Sequence, residues 1–278
     1  MPGGNSRATE KAKTLQTDCV VMDLEDATAP DMKETARKMA CEAVDAGGYG
    51  MREVVIRVNP LETPWGHDDV VAVSKSKAKA IVLPKVESAA DVNRVEELME
   101  ISGAPDDMGI WCLLETPFGI LRAEEIAAAS RRMKVILIGM ADLSKELRCP
   151  HTTNRDPFVW SLGMCLLAAR AYGLDVIDGI YPDMKDDDGF LLSCQQARAL
   201  GYDGKTLIHP RTIEAANSVF GPTSEEIDRS HRIIDAYEKA VAEGAGVAVV
   251  DNKLVENLHV EQARRMLRLA EMIDTIHG

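Results

Sequence analysis

The chain has no CxxC pair; its six cysteines (Cys19, Cys41, Cys112, Cys149, Cys165 and Cys194) are scattered without a compact framework. That spacing excludes a disulfide scaffold and points to reduced thiols in a cytoplasmic setting. Positive charge is in short supply: 32 Lys and Arg face 45 Asp and Glu, a net charge of −13. A nucleic-acid backbone is therefore not the expected main partner. The balance still permits a local cationic patch for an anionic cofactor, because net charge governs solubility more than individual sites. No apolar run approaches the ~18 residues of a membrane span, and no signal-peptide pattern opens the chain, so neither membrane insertion nor secretion is expected. Aromatic residues are few at 4%, while an apolar share of 46% is ordinary for a globular protein. Low-complexity linkers and short-period repeats are absent too.

What the chain does contain is alternation. Strand-like runs at Cys19–Leu24, Val54–Val58, Ala80–Leu83, Gly109–Leu114, Val135–Ile138, Val176–Ile180 and Lys205–Ile208 are separated by amphipathic stretches such as Asp31–Ala46, Ser88–Met99, Arg122–Ser130 and Phe190–Leu200. This order predicts parallel strands joined by crossover helices, an α/β fold. The 278 residues accommodate a (β/α)8 barrel, which needs ~250. Only seven strands are visible, however, and the eighth would have to precede Cys19, where Met1-Pro-Gly-Gly leads into a helical stretch, Ser6–Leu15. Beyond the barrel, Thr223-Ser-Glu-Glu226 reads as a capping box opening a helix towards Glu243. A Gly/Val-rich break follows, then a last helix from about Glu256 to Ile276. The expected division is a barrel over 1–222 and a helical extension over 223–278, packing on a neighbouring subunit or forming a lid.

Two carboxylates stand at the ends of successive strand-like runs: Glu115 closes Leu113-Leu-Glu, and Asp142 follows Gly139-Met-Ala. The carboxyl ends of parallel strands are where such folds bind ligands. Two hard oxygen donors there, with few thiols or imidazoles nearby, favour Mg²⁺ over Zn²⁺. Helix capping is the plainer role for each. Asp23-Leu-Glu-Asp26 places three acids at the end of the first run, where Asp26 either orients metal-bound water and a nearby cation or caps a helix. Arg57 puts a guanidinium inside an apolar strand and must have a partner, either Asp23 or Asp26, or the carboxylate or oxo group of a substrate. Lys85 again follows a strand. An ion pair with Glu87 or Asp26 is favoured over Schiff-base chemistry, because a metal and an imine are alternative ways to stabilise one enolate. His209 ends the last run as an acid, a base or a structural residue. Cys149-Pro-His151 is a weak soft-metal signal, and His67 sits in what reads as a polar loop.

Six blocks, taken in order, go further: Met22-Asp-Leu-Glu-Asp-Ala27, Ile56-Arg-Val-Asn59, Leu83-Pro-Lys-Val-Glu-Ser88, Leu114-Glu-Thr-Pro117, Gly139-Met-Ala-Asp-Leu143 and Gly204-Lys-Thr-Leu-Ile-His-Pro210. Together they resemble the HpcH/HpaI aldolase and citrate-lyase β-subunit family, specifically its CoA-ester lyases. The resemblance implies a TIM barrel of the phosphoenolpyruvate/pyruvate superfamily type, usually a homotrimer or homohexamer. It implies Glu115 and Asp142 as ligands of Mg²⁺ (or Mn²⁺), Arg57 against the oxo-acid, and Lys13 close to the phosphates of coenzyme A. In many members a C-terminal aspartate reaches the neighbouring subunit's site; here the matching position holds Glu256, one methylene longer. The stretch Leu254-Val-Glu-Asn-Leu-His259 is similar to malyl-CoA thioesterases and related lyases. The family's opening strand ends in Pro-Gly, and here Pro2-Gly3 stands at that ending with the strand itself missing.

The implied substrate is a 3-hydroxyacyl-CoA such as malyl-CoA or citramalyl-CoA, cleaved to a 2-oxo acid (glyoxylate or pyruvate) and an acyl-CoA, or formed from them by Claisen-type condensation. Arg57 would stabilise the alkoxide and Glu256 would protonate the enolate carbon. The alternatives are a (3S)-malyl-CoA thioesterase, a citrate-lyase-type subunit acting on an acyl carrier protein, and a non-catalytic protein that keeps the metal pair as an effector site.

Overall fold

All seven apolar runs form strands, and the strands stand side by side in chain order. They are β1 (Cys19–Asp23), β2 (Glu53–Arg57), β3 (Ala80–Leu83), β4 (Gly109–Leu114), β5 (Met133–Ile138), β6 (Asp175–Asp178) and β7 (Gly204–Lys205). Every neighbouring pair is parallel. The computed structural model describes residues 1–277. It divides into two compact units, Met1–Ala216 and the segment from Asn217 onwards.

In the first unit the strands alternate with helices α1 (Ser6–Ala12), α2 (Lys33–Ala46), α3 (Gly66–Ser74), α4 (Ala89–Ser102), α5 (Pro117–Leu121), α6 (Ala123–Ala127), α7 (Met140–Leu147), α8 (Val159–Ala171) and α9 (Asp187–Leu200). A parallel sheet covered in this way buries both faces, which is why β3 and β4 are apolar without interruption and buried throughout. One face gathers Val55, Ala80, Val82, Trp111, Leu113, Val135 and Leu137, with Cys19, Val21 and Ile177 packed against them. Residues from six strands share one cluster because the sheet is curled and this is its inner face.

The eighth stave is represented by a single parallel bridge between Pro2 and Asp23. Gly3 N–H donates to the Asp23 carbonyl at 2.9 Å and Asp23 N–H to that of Met1 at 2.8 Å. β7 is shorter than the apolar run Lys205–Ile208 predicts. After Thr206 N–H bonds the Asp178 carbonyl at 2.8 Å the chain leaves the sheet, and Ile208 is exposed.

The second unit contains α11 (Ser224–Ala242), which follows α10 (Ile213–Phe220), then a hairpin of β8 (Ala248–Val250) and β9 (Lys253–Val255), and α12 (Asn257–His277). Thr223 and Glu226 close the capping box at the start of α11. The hairpin was not expected from the sequence. Its two-residue turn, Asp251-Asn252, has φ of 50° and 59°, the left-handed pair that tight hairpins need and that Asp and Asn tolerate. Ala248, Val250, Val255 and Val260 form the unit's own small core.

Candidate active site

The period of two along a strand assembles the site. Asp23, Arg57 and Glu115 lie two residues beyond Val21, Val55 and Leu113, so they continue the inner file of the sheet to its carboxyl edge. Asp23 and Arg57 are register partners. The guanidinium grips Asp23 through both oxygens, Nε to Oδ1 at 2.7 Å and Nη2 to Oδ2 at 2.5 Å, and its Nη1 lies 3.2 Å from Glu25 Oε2. Asp23 also accepts backbone N–H bonds from Glu25 at 2.8 Å and Ala27 at 3.0 Å. Burial raises the pKa of Asp23, but the bonds from Arg57 and these two amides outweigh it and hold the carboxyl below its ordinary value.

Lys85 is central to the cluster. Its φ is +53°, a left-handed conformation unusual for a side-chain-bearing residue. That turn lets its N–H donate to Glu115 Oε1 at 2.9 Å while its Nζ meets Glu25 Oε1 at 2.5 Å. The same ammonium stands 3.8 Å from Asp142 and 3.9 Å from Asp26. The partner of Lys85 is therefore Glu25, with Asp26 farther off; the pairing with Glu87 that the sequence allows is not made. Asp26 itself is an exposed rim residue.

Glu115 is only 3% exposed. Burial first, and then the Asp142 carboxylate, push its pKa up to about 8. Gly139 explains the close approach: a Cβ there would lie 2.2 Å from Glu115 Oε2, so the glycine leaves room for the carboxylate at the start of α7, which carries Asp142 in its first turn.

Five carboxylates (Asp23, Glu25, Asp26, Glu115 and Asp142) share this edge with two cations, Arg57 and Lys85. Full ionisation would leave three negative charges uncompensated, and this repulsion adds to burial in raising Glu115. A divalent cation held by Glu115 and Asp142 would relieve most of that excess. Among the described residues no three His, Cys, Asp or Glu side chains gather as a ready-made metal cage. Two acids, with water and substrate filling the other positions, is the usual way proteins hold Mg²⁺. The residues present fit that ion.

A buried network behind the acids was not foreseen from the sequence. Lys33, in the first turn of α2, donates to the carbonyls of Leu24 and Glu25 at 2.8 and 2.7 Å and to Asn59 Oδ1 at 2.7 Å. Asn59 donates through Nδ2 to Leu24 O at 3.0 Å and to Asp69 Oδ2 at 2.6 Å, and Asp69 also holds Arg37 Nε at 2.6 Å. These contacts fix the backbone that presents Glu25. The expected polar loop around His67 is in fact helix α3, and Asp69 lies on its buried face with Val70 and Val73.

The other expected residues lie elsewhere. Lys13 is paired with Glu10 at 2.7 Å and sits over the Tyr49 ring at 5.6 Å. Both Lys13 and Tyr49 precede their strands, so the structure puts Lys13 at the amino edge of the sheet, opposite the acids. His209 caps a 3₁₀ turn by accepting from Arg211 N–H at 3.2 Å. Glu256 belongs to the second unit, exposed just before α12, where its N–H donates to His259 Nδ1 at 3.0 Å.

A family model described as HpcH/HpaI aldolase/citrate lyase matches residues 1–210. A (3S)-malyl-CoA thioesterase of Cereibacter sphaeroides is 46% identical over 273 residues, 98% of this chain and 93% of that one. The citrate lyase subunit beta of Escherichia coli is 35% identical over 277 residues, covering 98% and 92%. Among solved structures, the Mycobacterium tuberculosis protein CitE in complex with magnesium, acetoacetate and coenzyme A superposes with a TM-score of 0.77 at 26% identity, covering 98% of this chain and 96% of that one. A citrate lyase of Burkholderia xenovorans shares the fold, with a TM-score of 0.83 at 20% identity over 97% and 90% of the two chains.

Proposed function

Since the chain belongs to the HpcH/HpaI aldolase/citrate lyase family, we propose that it is a Mg²⁺-dependent enzyme that cleaves a 3-hydroxyacyl-CoA of the malyl-CoA or citramalyl-CoA type. The products are a 2-oxo acid, glyoxylate or pyruvate, and an acyl-CoA. The observation that carries this is the convergence of Glu115, Asp142, Arg57 and Lys85 on one edge of the sheet, with more acid than its own cations balance. Bound there, Mg²⁺ supplies a Lewis acid for the carboxylate and hydroxyl oxygens of the substrate's acid end.

The chain's own side chains do the rest. Arg57 has spent three of its five N–H donors on Asp23 and Glu25, and the other two would stabilise developing charge on the carbinol oxygen. The carbinol O–H gives its proton to water, its oxygen forms the new C=O of the oxo acid, and the electron pair of the breaking C–C bond passes to the thioester half as an enolate. Glu256 of a neighbouring copy then protonates the enolate carbon. Asp26, at the rim, orients water and the Lys85 ammonium. Working as a homo-oligomer is supported by the exposed apolar file Trp160, Met164 and Leu167, spaced i, i+4, i+7 along α8.

Hydrolysis of the thioester to malate and CoA is a second outcome, favoured by the 46% identity to a (3S)-malyl-CoA thioesterase across nearly the whole chain. One experiment separates the two. Purified protein is given Mg²⁺ and malyl-CoA, and glyoxylate, acetyl-CoA, malate and free CoA are followed separately. Glyoxylate with acetyl-CoA supports C–C cleavage, malate with free CoA supports hydrolysis, and an unchanged substrate defeats both.

A further inference from the structure

Lys85 has a capacity that the metal pair and Arg57 do not use. One of the three ammonium donors is spent on Glu25 at 2.5 Å. Asp142 at 3.8 Å and Asp26 at 3.9 Å attract the charge but lie beyond hydrogen-bond reach. Two N–H groups are thus left for a ligand, on a side chain that is 38% exposed. Its backbone is held in the left-handed region at φ +53°, a conformation that persists only where the surroundings enforce it and that gathers at functional sites. The surroundings here are the Glu115 carboxylate on its N–H and the Glu25 carboxylate on its Nζ.

Lys85 also belongs to a second environment. A cavity of about 340 Å³ lies between the loops after β2 and β3 and helices α3 and α4. Its walls include Val58, Leu61, Val70, Val86 and Val95, and Lys85 completes the lining. Most polar side chains along it are already engaged: Asn59 with Asp69 and Leu24, Asp91 with its own capping box, and Arg94 with Glu62 at 2.7 Å. Its walls are apolar and polar in equal measure, and a mixed space of this size suits a chain that carries both methylene and hydrogen-bonding groups, as an acyl-thioester arm does. Lys85 therefore stands at the boundary between the acid-rich edge of the sheet and this cavity.

We propose that Lys85 is a catalytic residue whose ammonium binds the thioester carbonyl oxygen, while the acyl-thioester arm runs from it along this cavity. The assignment rests on the function proposed above and deepens it. In C–C cleavage the bond's electron pair ends on the thioester oxygen as an enolate. In hydrolysis, water adds to the same carbonyl, the C=O pair moves to that oxygen, and the tetrahedral adduct collapses to expel CoA thiolate, which takes a proton from solvent. Both reactions place negative charge on one oxygen, and a fixed, half-buried cation beside it stabilises either transition state. Arg57 serves the acid end of the substrate and Lys85 the thioester end.

The test compares wild type, Lys85→Met and Lys85→Arg with Mg²⁺. Malyl-CoA turnover is measured with kcat and KM resolved. Binding of oxalate, which has the acid half but no thioester, is measured by calorimetry. Lys85→Met keeps the backbone N–H on Glu115, so oxalate affinity is expected to stay within threefold of wild type while kcat falls at least a hundredfold. Lys85→Arg, which keeps a cation, is expected to recover at least tenfold of that loss. Turnover of Lys85→Met within threefold of wild type overturns the assignment. So does oxalate affinity that falls in step with turnover, which would mean that Lys85 acts by holding the metal acids. Failure of the underlying function shows separately, as a wild type that binds oxalate yet turns over no malyl-CoA; the assignment then falls with it.

Discussion

Replacing Glu115 by Gln tests the electrostatics of the acid edge without requiring a substrate. The amide keeps the volume and the acceptor for Lys85 N–H, now at 2.9 Å, and removes the charge. Burial and then Asp142 raise Glu115 from an ordinary 4.5 to about 8. Between those values the folded chain holds a proton that the unfolded chain has released. Without metal, this residue's contribution to stability therefore declines as pH rises through that window, and above it the full penalty is present. At ~1.4 kcal/mol per pH unit, the interval corresponds to about 5 kcal/mol as an upper bound. Glu25, also raised chiefly by burial, acts with the same sign. In urea unfolding with a chelator present, Glu115→Gln is expected to exceed wild type by several kcal/mol at pH 8.5. The gain should shrink to under about 1 kcal/mol near pH 5. Adding Mg²⁺ should narrow the gap by stabilising only the wild type. A Gln variant no more stable than wild type at pH 8.5, or a gain independent of pH, would refute the reasoning.

Other sites give sharper local readouts. In Gly139→Ala the new Cβ would stand 2.2 Å from Glu115 Oε2 and 2.4 Å from Glu115 Cβ, forcing the acid aside. Calorimetry should show Mg²⁺ affinity falling at least tenfold, and unchanged affinity would count against the cradle. Asp69→Ala leaves Arg37 and Asn59 without their buried acceptor, so a destabilisation of about 3–5 kcal/mol is expected in chemical unfolding. A change under 1 kcal/mol would show that the network relaxes or admits water. Thr223→Ala removes the side chain that caps α11 and should cost about 1 kcal/mol in the transition that reports the second unit. A neutral result there would mean that the cap is replaced by solvent.

Much of the first unit was legible because a parallel sheet buried on both faces writes its strands as plain apolar runs. All seven were visible, and Glu115 and Asp142 stood out as acids placed just after them. Strand length was less legible at β7, because Leu207 and Ile208 are apolar yet lie in a loop. The β8–β9 hairpin was hidden for the opposite reason: its strands are three residues each, too short for periodicity, although Asp251-Asn252 carried the turn signal. Within the site, Asp23-Leu-Glu-Asp26 marked the segment but not the direction in which each acid points. Sequence cannot say that Glu25 turns inward to Arg57 and Lys85 while Asp26 faces solvent. The Lys33–Asn59–Asp69–Arg37 network joins two successive βα units, and nothing local in the sequence pairs them. Its one sequence signal was Asp69 sharing a helical face with Val70 and Val73. Lys13 is the reverse case, a residue singled out by family position that the fold carries to the other edge of the sheet.

In the proposed function, Glu115 and Asp142 together hold the divalent cation on which acyl-CoA cleavage depends, a joint role open to measurement. Its most direct test is Mn²⁺ binding by electron paramagnetic resonance, alongside malyl-CoA turnover, in wild type and in the Glu115→Gln/Asp142→Asn double variant. One bound ion per wild-type chain, lost together with turnover in a double variant that still folds, is the expected result. A double variant that keeps wild-type metal-dependent turnover would contradict the account.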